Sequence, residues 1–96
     1  MRTEYDIIRR PIITEKSTLL RDVANAYVFE VLRDATKEEI RRAVERIFDV
    51  KVKSVRTMQM PGKTKIYRTK VGRRPGWKKA IVMLEEGYQI DLMEGI

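Results

Sequence analysis

Two hydrophobic periods alternate along the chain, one suited to helices and one to strands. Asp6-Ile7-Ile8-Arg9-Arg10 reads as a short strand, which Pro11 ends or marks as a sheet edge. Thr14 can cap a helix in which Glu15 suits the positive end. Leu19, Leu20 and Val23 give that helix one apolar face, and Asn25 stops it. Ala26 to Leu32, with Tyr27, Val28, Phe29 and Val31, is an aromatic and β-branched strand. The clearest helical signal starts at Thr36. Thr36 and Glu39 have capping-box spacing, and Ile40, Ala43, Val44 and Ile47 follow on one face. Glu38, Arg41, Arg42, Glu45 and Arg46 lie opposite, with Glu38–Arg42 a favourable pair.

Val50 to Met60 returns to strand character. Val50 and Val52 share a parity that Val55 breaks, which predicts a bulge or a stretch buried on both faces. Pro61-Gly62 turns the chain. Residues 63–76 hold few apolar side chains and no convincing period, so they read as a loop. Trp77 to Glu85 is the last strand, with Ala80 to Leu84 its core. Glu86-Gly87 is a turn, and Ile90-Asp91-Leu92-Met93 a short packing tail. The order is β-α-β-α-β-β, an α+β class. Its last two strands form a hairpin whose tip is a long loop at about residues 61–77.

Composition narrows the function. A chain of 96 residues that is 43% hydrophobic supports a single domain, residues 1–96, around one modest core. There is no cysteine, hence no disulfide framework, thiolate metal site or thiol catalysis, and no histidine, the commonest general base. The longest apolar runs are about five residues, as in Ala80 to Leu84, against about 20 for a membrane span. The start has no signal-peptide h-region, so a cytosolic chain without membrane insertion is the reading.

The net charge of +7 is concentrated. Residues 51–79 carry eleven basic side chains and no acidic one, whereas residues 1–50 balance and residues 80–96 are acidic. Such a focus suits a polyanion, because it releases counterions from many phosphates at once. Arg73-Arg74-Pro75-Gly76-Trp77-Lys78-Lys79 is the densest patch. It combines bidentate guanidinium forks, ammonium point charges and an aromatic face. Tyr67, between Lys65 and Arg68, is a second candidate for stacking on a base, while Trp77 can also pack at the strand start.

Rival motifs fail. Pro61-Gly62-Lys63-Thr64 ends like a phosphate-binding loop, but Thr57 stands where the first glycine belongs. The adjacent carboxylates Glu38/Glu39 and Glu85/Glu86 point apart on a helix or strand and do not converge for acid–base work. No helix-turn-helix, zinc finger or aromatic RNA-recognition strand is present, so phosphate contact and RNA shape are indicated, not DNA or base-edge reading.

The blocks Ile8-Arg9-Arg10-Pro11-Ile12-Ile13-Thr14-Glu15-Lys16-Ser17, Ala35-Thr36-Lys37-Glu38-Glu39-Ile40, Val50-Lys51-Val52, Gly72-Arg73-Arg74-Pro75-Gly76-Trp77-Lys78-Lys79-Ala80 and Ile90-Asp91-Leu92 together resemble the bacterial ribosomal large-subunit protein number 23 family. They keep the family's order over essentially the whole chain. The resemblance implies an antiparallel four-stranded sheet packed with helices, plus a long basic hairpin loop. It implies a structural constituent of the ribosome with no catalysis and no cofactor. Such a protein binds large-subunit (23S) ribosomal RNA and lies at the polypeptide exit tunnel beside ribosomal large-subunit protein number 29. It docks trigger factor and the signal recognition particle. The expected RNA footprint is Lys63, Lys65, Tyr67, Arg68, Lys70, Arg73, Arg74, Trp77, Lys78 and Lys79, joined by Arg9, Arg10 and Lys16. The family's trigger-factor glutamate maps onto Glu15. One departure is Gly76, where relatives often carry Asp. The rival reading is a free-standing RNA chaperone or regulator.

Overall fold

A computed structural model describes residues 3–61, 64–67, 70–73 and 76–91, with side chains for 3–61 and 76–91. Its elements run α1 (Glu4–Ile7), β1 (Ile8–Pro11), α2 (Glu15–Ala24), β2 (Ala26–Val31), α3 (Lys37–Phe48), β3 (Val52–Met60), β4 (Thr64–Tyr67), β5 (Lys70–Arg73) and β6 (Trp77–Leu84). The α+β architecture holds: β1, β2, β6 and β3 form one antiparallel sheet in that spatial order. The two outer strands are protected in different ways. β1 carries Pro11 at its end, and β3 carries charged side chains.

One face of this sheet is the core. Strand alternation directs Tyr27, Phe29 and Val31 of β2 and Ala80, Val82 and Leu84 of β6 to it, where they are buried with Ile40, Ala43 and Val44 of α3. The Phe29 and Phe48 rings stack with centroids 5.7 Å apart. α3 owes its start to the expected capping box: Thr36 Oγ1 accepts from the Glu39 N–H at 3.2 Å, and Glu39 Oε1 accepts from the Thr36 N–H at 3.0 Å. Glu38 pairs with Arg41, at 3.8 Å, rather than in the expected pair with Arg42.

The parity break in β3 is a bulge between Val52 and Ser54, and it returns Val55 to the side of Val52, opposite Val82. Two side chains from the polar face of α3 complete it. Val52 N–H donates to Glu45 Oε2 at 3.0 Å, and Arg41 Nη2 donates to the Val52 carbonyl at 3.2 Å. The edge groups of Val52 are thereby satisfied.

Three expectations need correction. Asp6 and Ile7 belong to α1, not to a strand. Asp6 Oδ2 accepts from the Thr3 N–H at 2.7 Å and closes a helical turn, while Glu4 accepts from Arg46 Nη1 of α3 at 3.0 Å. Residues 63–76 are not all loop, because β4 and β5 pair antiparallel from Thr64↔Arg73 to Tyr67↔Lys70. The third concerns α2. Its cap is as expected, with Thr14 Oγ1 accepting from the Ser17 N–H at 3.1 Å. Its stop is Asn25, in the left-handed region at φ 52°. Its inward side chain, however, is Ser17, and the expected apolar face is outside: Leu19 is 62% and Val23 77% exposed.

The segment after β6 turns at Gly87, φ 90°, and is tied back to the end of α2 and to β2. Asn25 Nδ2 donates to the Tyr88 carbonyl at 2.9 Å, and the Ile90 N–H donates to Tyr27 Oη at 3.1 Å. Ile90 is buried, as a packing tail requires. Leu92 and Met93 lie outside the described residues.

Candidate nucleic-acid interface

The second face of the sheet is assembled by register. β2 turns Ala26, Val28 and Glu30 to it, β6 contributes Trp77, Lys79, Ile81 and Met83, and β3 contributes Ser54, Arg56, Met58 and Met60. Ala26 and Val28 are buried. Across β6 and β3 the cover thins: Trp77, Lys79, Ile81 and Met60 are half-buried, and Arg56 and Met58 are exposed. Basic and flexible apolar side chains thus share an accessible surface.

Its basic corner lies where β1, β2 and β6 run side by side. Arg10 faces Glu30 across β1–β2, and Glu30 faces Lys79 across β2–β6. Arg10 Nε donates to Glu30 Oε1 at 2.8 Å, and Arg9 Nε lies 3.5 Å from Glu30 Oε2. Both arginines are well exposed, and with Arg33, Gly76 and Trp77 they line one groove. Trp77 is therefore both packed at the start of β6, opposite Met60, and accessible at the groove.

The other expected site residues divide. Lys78 lies on the helix side of the sheet, and its Nζ donates to the Ala35 carbonyl at 2.6 Å. Gln59 reaches the same connection, donating to the Arg33 carbonyl at 3.5 Å. Together they tie the ends of β6 and β3 to the β2–α3 loop. Lys16 and Glu15 stand exposed in the first turn of α2, on a different element from the basic corner. Lys65, Tyr67, Lys70 and Arg73 belong to the β4–β5 hairpin, which enters and leaves the sheet at the Met60–Trp77 pair. Their side chains, and the whole of Lys63, Arg68 and Arg74, lie outside the described residues.

Arg56 joins the candidate face although the sequence reading did not single it out. It stands opposite Ile81 and shares the face of Met58 and Lys79. Its membership of the basic block at residues 51–79 and its two-residue spacing from Ser54 and Met58 were the sequence signals, and the spacing became informative once the bulge set the register. Among the described residues, no three His, Cys, Asp or Glu side chains gather to hold a metal ion, and no helix is long and apolar enough to cross a membrane. The site offers cations, guanidinium forks and an aromatic face, which are groups that bind phosphate and bases rather than transform them.

Residues 6–92 match the family model described as ribosomal protein L23. The chain is 54% identical over 91 residues to the large ribosomal subunit protein uL23 of Alkalilimnicola ehrlichii, covering 95% of this chain and 92% of that one. It is 52% identical over 93 residues to the uL23 of Desulforapulum autotrophicum, with coverage of 97% and 98%. For the uL23 of Nitrobacter winogradskyi the identity is 50% over 92 residues, with coverage of 96% and 93%.

Proposed function

Because this chain belongs to the ribosomal protein L23 family, we propose that it binds large-subunit ribosomal RNA through its open sheet face and its basic hairpin. It is a structural, non-enzymatic protein of the large ribosomal subunit. The observation that supports RNA binding is the gathering of Arg9, Arg10, Trp77 and Lys79 at the sheet corner from which the hairpin departs. Elements distant in sequence contribute to one positive surface, continuous through the chain with the remaining cations of residues 51–79. The hairpin extends into RNA and acts as an anchoring arm, with Lys63, Lys65, Tyr67, Arg68, Lys70, Arg73 and Arg74 supplying its contacts. Lys78 contributes charge from the opposite side, and Lys16 from α2.

The test is sedimentation of the endogenous protein. Stable comigration with large subunits after a high-salt wash is expected. A protein found mainly in the soluble fraction, bound to diverse RNAs, would point instead to a free-standing RNA chaperone.

In the same reading, the body lies at the polypeptide exit beside ribosomal large-subunit protein number 29, and α2 receives trigger factor and the signal recognition particle. Glu15, Leu19 and Val23 follow one another at four-residue spacing on α2, and all three are exposed. A carboxylate leading an uncovered apolar stripe suits a partner segment with basic and apolar groups. Glu15→Ala should weaken trigger-factor binding to ribosomes by about 1 kcal/mol, roughly fivefold, as for loss of one exposed ion pair. The affinity for RNA should not move. Titration of labelled factor against ribosomes carrying the variant decides this, and an unaltered factor affinity removes Glu15 from the contact.

A further inference from the structure

We propose that Glu30 is a positioning residue that holds Arg9 and Arg10 in the orientation that grips RNA phosphate, an inference that rests on the RNA reading of this face. By charge alone, Glu30 is out of place there, since a carboxylate repels a polyanion. Its surroundings account for it. Glu30 lies on β2 between Arg10 of β1 and Lys79 of β6, and its side chain is only 17% exposed. The side chains of Arg9 and Arg10 are 59% and 71% exposed. Glu30 therefore sits beneath the guanidinium groups and is partly screened from anything that binds above them.

The atoms in contact matter as well. Glu30 Oε1 accepts from Arg10 Nε at 2.8 Å, and Oε2 lies 3.5 Å from Arg9 Nε. Each carboxylate oxygen takes a different arginine, and each arginine is engaged through Nε. Neither contact uses the terminal Nη atoms, which form one side of the fork that binds phosphate oxygens. One buried-side acid thus sets the orientation and spacing of two phosphate-binding forks. It also restricts their rotamers before RNA arrives, so less freedom is lost on binding. Arg33 and Trp77 line the same groove, so the held forks stand beside a further cation and an aromatic ring.

The test separates position from charge. The full chain is titrated with in vitro transcribed large-subunit ribosomal RNA over a range of salt. Glu30→Gln removes a negative charge and keeps the shape. Positioning predicts weaker binding, by about two- to fivefold, the scale of one or two exposed ion pairs. Equal or tighter binding overturns the proposal, because a merely repulsive acid gives tighter binding. Glu30→Asp keeps the charge on a shorter stem that cannot span both Nε atoms. It should also weaken binding, and wild-type affinity for Glu30→Asp is equally fatal. Thermal unfolding of each variant establishes that the sheet is intact. Arg9→Ala with Arg10→Ala serves as the reference. Loss of affinity there with no loss in the Glu30 variants defeats the positioning role alone, whereas no loss in the arginine pair defeats the RNA reading of this face.

Discussion

Replacing Lys63, Lys65, Arg68, Lys70, Arg73 and Arg74 together by serine is expected to produce the largest functional loss. On the proposed footprint these side chains meet backbone phosphates. Counterion release then gives a log-affinity against log-salt slope shallower by about 0.7 per lost contact, about 4 in all, and an affinity lower by about a thousandfold near physiological salt. The measurement is a salt series of binding titrations with large-subunit ribosomal RNA. The packed body should survive, because its core is built by other side chains, among them Phe29, Val31, Ile40, Val44 and Val82. An unchanged slope would mean that these cations do not meet phosphate, and the anchoring role of the hairpin would fall with them.

The largest structural loss is expected from Phe29→Ala. Phe29 is fully buried at the centre of β2, stacks on Phe48 of α3, and lies beside Ala80 of β6. Truncation removes the aromatic contact between sheet and helix and leaves a cavity, at a cost of about 3–5 kcal/mol. Small domains hold only about 5–15 kcal/mol in total. Chemical denaturation should therefore show a midpoint displaced far toward low denaturant, with little change in its slope. A loss below about 1 kcal/mol would contradict the central place given to this ring. Where the variant remains folded, its RNA salt slope should match the parent's, because Phe29 faces away from the charged surface.

These two predictions draw on different kinds of information. The concentration of positive charge in residues 51–79 is a property of the sequence. So is α3, where the Thr36–Glu39 cap and the spacing of Ile40, Ala43 and Val44 agree on start, face and burial. The parity break at Val55 also foretold the irregularity found between Val52 and Ser54. α2 shows where such reasoning stops. Periodicity identifies side chains that share a helix face, but not the face that meets the sheet. Leu19 and Val23 share one, yet Ser17 is turned inward and they are exposed. The short cap that makes Asp6 helical was equally hard to see, because a single turn carries almost no periodic signal.

The proposed RNA-facing surface divides in the same way. Arg73, Arg74, Trp77 and Lys79 are conspicuous as a run, and Arg9 and Arg10 as a pair. Nothing in the chain order says that Glu30 lies under that pair, that Lys78 is bonded to Ala35, or that Arg56 shares a face with Lys79. Linear sequence determined the types of α2, β2, α3, β3 and β6, the buried face of α3 and the place of the excess charge, because these depend on neighbours within a few positions. Only the folded sheet decided which cations converge and which acid holds them, because strand register joins residues separated along the chain and sends successive side chains to opposite faces.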